Sequence, residues 1–345
     1  MIYLIAYVSI LDELSIENYF MKAITIIKAG GPEVLKLKTV ERQPLAAYHV
    51  RIAVKAAGVN RSDILTRKNP NAYGDDTPAA QIPGLEVAGE VIEIDKNVES
   101  FKVGDAVCAL VAGGGYATEI VVDARLCLPL PDGFSFVEAA ALPEVMFTVW
   151  FNVFQQAKAK KGERLLIHGG TSGIGIMGLQ MAKALGLKTF TTVGSPEKLE
   201  FIKQHDLAEV INYKETDFES EFERSKIDVI LDMVGGSYTQ KNLNILNKQG
   251  RLVNINGMNG LTPEINLWTI MSKQLLITGS LLKPQSIEVK HQIGVELQNE
   301  IWPLLNKGTI KPFVYKTFKL EQAAAAHELM ESSNHIGKII LEITR

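Results

Sequence analysis

The sequence predicts an α/β protein built from a doubly wound parallel sheet and a β-rich, barrel-like domain that the chain enters twice. Three observations support this fold class. Short β-type runs separated by glycine and proline turns fill residues 21–130, strand and helix patterns alternate up to residue 285, and a last strand pattern lies at Lys338–Ile343. Because that last strand has no neighbour in a completed parallel sheet, we expect it to return to the first domain and make that domain discontinuous.

The composition favours a small-molecule partner. The chain has 345 residues, of which 46% are hydrophobic and 22% charged, and its net charge of −3 provides no basic field for nucleic acid or an anionic membrane. Its two cysteines, Cys108 and Cys127, exclude a disulfide framework and a cysteine-rich zinc site. No uncharged run reaches the roughly 20 residues that a membrane span requires. We therefore expect a cytoplasmic protein that binds neither nucleic acid nor membrane.

Residues 1–20 are predicted to be an N-terminal extension. They contain Asp12, Glu13 and Glu17 and lack the basic region and small-residue cleavage site of a signal peptide. Because the segment that begins at Met21 has the pattern of a natural start, we expect Met21 to be the physiological initiator.

Residues 21–140 are predicted to form the first part of the barrel-like domain. Strand patterns occur at Val50–Ala56, Val87–Ile94 and Tyr116–Val122, with no long amphipathic helix between them. Near Phe134 the pattern becomes helical, and it stays so through to Ala159.

The most informative local pattern spans residues 162–186. The apolar run Leu165–Ile167 predicts a buried strand, a glycine-rich turn follows, and helical spacing continues to Gly186, which can close a helix in the left-handed conformation. Strand, glycine turn and helix in this order are the Rossmann-type arrangement that binds a dinucleotide pyrophosphate through backbone amides and the helix dipole. The spacing Gly173-x-Gly175-x-x-Gly178 fits the usual fingerprint only if the helix starts late, and a tight turn without a ligand is the alternative.

The rest of the parallel sheet is predicted within residues 141–285. Its further strands are Thr189–Val193, Glu209–Asn212, Asp228–Leu231, Arg251–Ile255 and Leu275–Thr278. In such a sheet the ligand lies at the carboxyl ends of the strands. Residues 286–345 are predicted to complete the first domain with the extended segment Lys311–Phe318, the helix Leu320–Met330 and the last strand.

The residues after the second strand of this sheet favour NADPH as the cofactor. Sites that select NAD carry an acidic residue about 20 positions after the glycine turn. Here Gly194 leaves room, Ser195 can donate a hydrogen bond and Lys198 supplies positive charge for a 2′-phosphate. Ser195, Pro196 and Glu197 also form an ordinary helix start, but that interpretation leaves Lys198 unexplained.

Eight stretches in one order resemble the medium-chain dehydrogenase/reductase superfamily, specifically its zinc-free quinone oxidoreductase branch. They are Ala57–Asp63, Ile82–Gly89, Val103–Asp105, Ala141–Glu144, the glycine turn with Gln180, Ile211–Tyr213, Asp232–Gly236 and Ile336–Lys338. The resemblance runs from Met21 to the end and implies a GroES-like fold for the barrel domain. Zinc enzymes of this fold have a cysteine where Asn60 stands and a histidine where Leu85 stands, and neither present residue suits zinc. The six histidines are scattered without ligand spacing.

The resemblance also implies which residues bind the cofactor. Those facing the pyrophosphate would be Ser172, Gly173, Ile174 and Gly175; Tyr213 would border the 2′-phosphate and the adenine, Val234 and Gly235 the adenine-side ribose, and Gly257, Met258, Ser280, Leu281 and Asn60 the nicotinamide. Lys338 is a weaker candidate for the phosphate region, since a solvated lysine at the start of a strand is the favoured alternative. Tyr213 has the alternative of a half-buried strand residue.

The implied reaction is hydride transfer from NADPH to a quinone. Asn60 would hydrogen-bond the substrate oxygen, and Tyr73 would orient the ring or help to deliver a proton, with a plain loop tyrosine as its alternative. Asp63 is predicted to be structural. A reductase of enoyl or alkenal double bonds, which would take an enone, and a non-catalytic NADPH-binding protein are the alternatives. The resemblance further implies a homodimer formed through the edge of the cofactor sheet at Leu275–Ser280.

Overall fold

The computed structural model describes residues 19–69 and 81–344. Tyr73 and residues 1–18 of the expected N-terminal extension lie outside the described residues.

The described residues form fifteen strands. They are β1 (Phe20–Ile26), β2 (Leu35–Glu41), β3 (His49–Val59), β4 (Glu86–Ile94), β5 (Ala106–Leu110), β6 (Glu119–Asp123), β7 (Cys127–Pro129), β8 (Arg164–His168), β9 (Lys188–Val193), β10 (Glu209–Asn212), β11 (Ile227–Asp232), β12 (Leu246–Asn254), β13 (Leu276–Gly279), β14 (Val314–Lys319) and β15 (Lys338–Glu342).

The helices are numbered in the same way. They are α1 (Arg61–Lys68), α2 (Phe136–Ala139), α3 (Pro143–Val149), α4 (Gly173–Ala184), α5 (Pro196–Gln204), α6 (Phe218–Phe222), α7 (Tyr238–Ile245), α8 (Leu267–Lys273), α9 (Ile287–Glu300), α10 (Trp302–Asn306) and α11 (Ala323–Ser332). A π-helix, Trp150–Gln156, continues α3.

The doubly wound sheet is confirmed. Strands β8 to β13 form one six-stranded sheet in the order β10-β9-β8-β11-β12-β13, and every pair is parallel. The chain winds outward from β8 in one direction and resumes at β11 in the other, so the strand order reverses between β8 and β11. A crevice forms at this switch point, outside the carboxyl ends of the strands.

The barrel-like domain is discontinuous, as the sequence predicts. Seven strands lie in the order β14-β15-β3-β4-β5-β7, with β6 also paired to β3. The last strand, β15, runs antiparallel to β3 and pairs Ile339 with Val59 and Leu341 with Ala57. The end of the chain therefore completes the sheet that its beginning starts.

Two details of this domain differ from the predictions. The strand predicted at Tyr116–Val122 begins only at Glu119, because residues 116–118 bond to β1 instead, with the Ile24 amide donating to the Tyr116 carbonyl at 2.9 Å. The helix α1 was not predicted. It starts directly after Asn60, whose backbone amide donates to the Asp63 carboxylate at 2.8 Å, an arrangement typical of a helix N-terminus.

One hydrophobic core joins the two sheets. It contains Cys108 and Leu128 from the barrel, Phe147 from α3, and Ile167 and Leu179 from the parallel sheet and its helix. Within the described residues, the stretch Phe136–Gln156 is long and apolar enough to cross a membrane, but 78% of its most apolar window is buried inside the protein. Such burial is typical of a core helix in a soluble protein. The buried stretch places α3 between the two domains, in contact with β4 and β5 on one side and with α4 on the other.

Candidate active site

The predicted cofactor residues of the parallel sheet share one position in the fold. Each group follows the carboxyl end of a different parallel strand: the glycine turn follows β8, Gly194 follows β9, Tyr213 follows β10, Val234 comes two residues after β11, and Ser280 follows β13. Because these ends lie along one edge of the sheet, the fold brings together residues that are far apart in the sequence.

The glycine turn leads directly into α4. The helix begins at Gly173, and the Ser172 hydroxyl accepts from the Gly175 amide at 2.9 Å, so Ser172 is the N-cap and the late start that the usual fingerprint needs does not occur. Gly175 and Gly178 are also closely packed: an added Cβ would lie 2.4 Å from the Gly169 carbonyl oxygen at the first and 2.7 Å from Ile167 Cδ1 at the second. The amides of the first helical turn face the crevice end of β8 and suit a pyrophosphate.

Gly194 lies against Tyr213. A Cβ at Gly194 would come within 2.6 Å of the Tyr213 hydroxyl, so a larger residue would displace the ring that the sequence assigns to the adenine side. Ser195 caps α5 and accepts from the Lys198 amide at 3.3 Å. The Lys198 ammonium donates to the Ser333 carbonyl at 2.6 Å, and burial lowers its pKa. Lys198 thus links the cofactor sheet to the loop before β15.

The two loops on the far side of the switch point pack on each other. The Asp232 carboxylate accepts from the amides of Val234 and Gly235, which has a left-handed backbone (φ 65°), and a Cβ at Gly235 would lie 3.0 Å from Gly257 Cα. Met258 is 55% exposed on this surface.

The residues after β13 are tied to the π-helix. The Ser280 hydroxyl donates to the Asn152 side-chain oxygen at 2.7 Å, whereas Leu281 is 56% exposed. The π-helical turn therefore supports the residue that the sequence assigns to the nicotinamide border.

Asn60 lies in a buried polar cluster with Glu86 and Lys338. Its side-chain nitrogen donates to Glu86 Oε1 at 2.9 Å, and its side-chain oxygen accepts from the Lys338 ammonium at 2.7 Å. The same ammonium forms an ion pair with Glu86 at 2.5 Å. These two partners fix the orientation of the amide. Since an amide nitrogen carries two hydrogens and Glu86 accepts one, the second can be donated to a substrate oxygen.

Lys338 is 4% exposed, so the alternative of a solvated lysine is wrong. Its chain lies against the glycine turn, because a Cβ at Gly173 would come within 2.5 Å of Lys338 Cδ. The neighbouring Gly337 amide donates to the Thr171 carbonyl at 2.9 Å. Lys338 therefore runs from the start of α4 to Asn60 and connects the two halves of the site.

Asp63 is structural, as predicted. It accepts from the Asn60 and Gly84 amides and from the Tyr116 hydroxyl, at 2.8, 3.0 and 3.0 Å. Its burial raises the pKa of the carboxyl to about 6, although these hydrogen bonds act in the opposite direction. The network continues from Tyr116 to His327, at 3.2 Å. It holds the Gly84–Glu86 segment against the start of α1.

Glu86 and Glu144 belong to the matching stretches Ile82–Gly89 and Ala141–Glu144, but the sequence predicts no role for either. Glu86 Oε2 accepts from the Glu144 backbone amide at 2.9 Å, so one carboxylate binds both Asn60 and the first turn of α3. Burial and the Glu86 charge raise the pKa of the Glu144 carboxyl to about 8. One sequence signal could have identified them. Each is a carboxylate within a stretch that matches the family, as Asn60 is.

Among residues 19–69 and 81–344, no group of three or more histidine, cysteine, aspartate or glutamate side chains could hold a metal ion. Leu85 is buried and apolar, and Asn60 is bonded to an ammonium group. This donor set does not suit zinc, which prefers thiolate, imidazole or carboxylate ligands.

Comparison with known proteins identifies relatives over nearly the whole chain. A model of the alcohol dehydrogenase GroES-like domain matches residues 46–132, and one of a zinc-binding dehydrogenase domain matches residues 206–341. Quinone oxidoreductase of Mus musculus is 35% identical over 330 residues, covering 93% of this chain and 97% of that protein. The Homo sapiens quinone oxidoreductase is 32% identical, with the same coverage of both chains.

Solved structures of similar proteins share the fold of this chain over nearly its whole length. A quinone oxidoreductase from Coxiella burnetii is 27% identical with a TM-score of 0.78, covering 94% of this chain and all of that one. The CurK enoyl reductase is 26% identical with a TM-score of 0.83, covering 94% of this chain and 99% of that one. An NAD-dependent alcohol dehydrogenase is 26% identical with a TM-score of 0.83, covering 94% of this chain and all of that one.

Proposed function

The chain belongs to the quinone oxidoreductase branch of the medium-chain dehydrogenase/reductase superfamily, and from this premise we propose that it reduces quinones with NADPH and without a metal ion. The observation that carries the proposal is the buried Asn60 amide, held by Glu86 and Lys338 beside the glycine turn. It offers a hydrogen-bond donor to an oxygen that becomes negative during reduction, in surroundings where such a bond is strong.

The nicotinamide cofactor supplies the hydride when it is bound. The chain supports its diphosphate with the first turn of α4 and the residues Ser172, Gly173, Ile174 and Gly175. Gly194, Ser195, Tyr213 and Lys198 would receive the adenosine 2′-phosphate, and Val234, Gly235, Gly257, Met258, Ser280 and Leu281 would line the path to the nicotinamide. A phosphate at Lys198 would have to replace its hydrogen bond to the neutral Ser333 carbonyl, and the ammonium would gain an anionic acceptor in that exchange.

Metal independence rests on the donor chemistry of the site. The Lys338 ammonium contacts both Asn60 and Glu86, and its positive charge opposes a cation at that position. The same ammonium is close enough to support negative charge on a substrate oxygen bonded to Asn60. Tyr73 keeps its proposed role in orienting the ring or delivering a proton.

The test is NADPH oxidation over a panel of ortho- and para-quinones and alkenals, with calorimetry of NADPH and NADH binding. We expect quinone turnover and tighter binding of NADPH. Lys198→Met should weaken NADPH by about 10- to 100-fold, the value of a charge-assisted hydrogen bond, and leave NADH unchanged. Lys203→Met on the same helix is the control. Equal affinity for the two nucleotides would remove the NADPH assignment, and no binding would remove the function.

An NADPH-dependent enoyl or alkenal reductase is the second candidate, because the similar CurK protein is named an enoyl reductase. Faster turnover of alkenals than of every quinone would favour it. Tight NADPH binding without turnover would favour a non-catalytic binding protein.

Assembly and location are also proposals. We propose a homodimer through β13, which is the edge strand of the parallel sheet as described. Exposed apolar side chains lie on β13 and on the segment that precedes it: Leu261, Leu267, Trp268, Met271 and Leu276 are between 49% and 83% exposed. A patch of this kind is expected to be covered by a partner. Cys108 and Cys127 are buried and unpaired, which supports a cytoplasmic location.

A further inference from the structure

Glu144 occupies an unusual position on a buried helix. The other six residues of α3 are buried, whereas Glu144 is only half-buried and keeps part of its surface open to solvent. Its backbone amide is bonded to Glu86, but its carboxyl group has no hydrogen-bond partner among residues 19–69 and 81–344. A half-buried carboxyl group without a structural partner is available for chemistry.

The groups around Glu144 come from both flanks of the proposed active site. On one flank are Glu86 of β4, which accepts from the Glu144 amide at 2.9 Å, and Lys338 of β15, and both hold Asn60. The charge of Asp63 on α1 also acts on Glu144. On the other flank is Lys290 of α9, which is 7% exposed and donates to the Lys283 carbonyl at 2.7 Å. Lys283 lies two residues after Leu281. The hydrogen bond of its amide to Glu86 thus places Glu144 next to the residue that holds Asn60.

The electrostatic surroundings favour the neutral acid. Burial and the charges of Glu86 and Asp63 disfavour a carboxylate at Glu144, while Lys338 and Lys290 favour it. The balance raises the pKa of Glu144 to about 8, so the group carries its proton at neutral pH. A neutral carboxylic acid next to a site where oxygen becomes negative can act as a general acid.

We propose that Glu144 is the proton donor in quinone reduction, an inference that rests on the proposed function. A bound nicotinamide cofactor would supply the hydride with its two electrons, and the quinone would become a hydroquinone anion. The Glu144 O–H bond then breaks and a new O–H bond forms on the quinone oxygen. Glu144 is left as a carboxylate, which Lys338 and Lys290 stabilise until water returns the proton. One hydride and one proton thus convert the quinone to a hydroquinone.

The first test does not depend on activity. An infrared difference spectrum of the wild type against Glu144→Gln at pH 6.5 should contain a carboxylic-acid C=O band that titrates away near pH 8. The exposed Glu300→Gln, on α9, should leave that band unchanged. A Glu144 carboxylate band at pH 6.5 would overturn the proposal.

The second test is the pH profile of quinone reduction. Glu144→Gln should lower kcat/KM by about 100-fold, within the range for loss of a general acid, and should abolish the fall in rate above pH 8. Glu144→Asp should restore part of the rate and the pH dependence, while NADPH affinity and Tm stay near the wild-type values. If the wild type reduces no quinone, the proposed function fails and takes this role with it. If the wild type is active and Glu144→Gln keeps its rate and profile, only the proton-donor role fails.

Discussion

The buried pair of Lys338 and Glu86 shows how single residues decide the character of the site. Lys338 is 4% exposed and Glu86 fully buried, and both bind the Asn60 amide. Buried charges are costly unless each has a partner, and the partner here is the other member of the pair. The pair therefore does more to orient Asn60 than to stabilise the fold.

Lys338→Met should lower the free energy of unfolding by about 3–5 kcal/mol, because it leaves the Glu86 charge buried without its partner. The double variant Lys338→Met/Glu86→Gln should recover most of that loss, since no unpaired charge remains. Urea unfolding of the four proteins in this cycle measures the coupling. Additive effects of the two changes would contradict the paired role.

His327 links the candidate site to the stability of the barrel domain. Its ring contacts the Tyr116 hydroxyl at 3.2 Å and the Arg67 guanidinium at 3.3 Å. Burial first, and then the Arg67 charge, lower the pKa of His327 to about 3. The ring is therefore neutral in the folded protein under conditions where an unfolded histidine, with a pKa of about 6.5, becomes charged.

This difference predicts acid sensitivity. Because the folded pKa lies below the unfolded one, the contribution of His327 is complete above pH 6.5 and is lost as the pH falls towards 3. His327→Gln should reduce the slope of unfolding free energy against pH between 6 and 4 by up to about 1.4 kcal/mol per pH unit, the value for one proton. Urea unfolding at several pH values provides the comparison. Parallel curves for the two proteins would show that His327 does not titrate on unfolding.

At the scale of elements, the position of helix α4 depends on close contacts that its glycines make with the glycine turn and with β8. Gly175 faces backbone: an added Cβ would lie 2.4 Å from the Gly169 carbonyl oxygen. Gly178 faces the end of a side chain, Ile167 Cδ1, at 2.7 Å. Backbone cannot move aside as a side-chain methyl can, so the two glycines differ in what they tolerate.

Gly175→Ala should displace the start of α4 from the turn and weaken NADPH and NADH alike, by about tenfold or more. Gly178→Ala is the matched control, because Ile167 can rotate and alanine favours a helix over glycine by about 1 kcal/mol. Calorimetric titration of both nucleotides into the two variants distinguishes these outcomes. Equal and small effects would mean that the Gly175 contact does not set the cofactor site.

At the scale of the whole molecule, the proposed dimer depends on the apolar surface beside β13. Trp268 is 69% exposed on α8 and Leu276 is 49% exposed on β13. Trp268→Glu should place a charge in the proposed interface and shift the protein to monomers at micromolar concentration, as light scattering would measure. The exposed Glu300→Gln should leave the mass unchanged. A wild-type monomer would contradict the assembly.

The domain limits 21–140, 141–285 and 286–345 stay a prediction. The pairing of β15 with β3 agrees with a first domain in two parts, and the shared core shows that the parts do not pack separately. The proposed site lies where these parts meet, so its geometry depends on both.

The sequence by itself determined the architecture and the identity of the cofactor-site candidates. Periodicity and glycine turns are local signals, and they predicted the parallel sheet, the start of α5 at Ser195 and the return of the last strand. Asn60 was indicated by the resemblance to the family and not by a local pattern. Local patterns do not predict helix α1. Asn60 and Asp63 mark its N-terminus, but the sequence indicated a substrate contact for the first and a structural role for the second.

Only the tertiary structure decided the electrostatics of the site. Lys338 and Glu86 are 252 positions apart, so no local pattern indicated that they form a buried ion pair on Asn60. The pKa of Glu144 likewise depends on groups from β4, β15, α1 and α9. Burial and the distances between charges arise only when distant segments pack together, and these quantities determine which group can hold a proton and which can donate it.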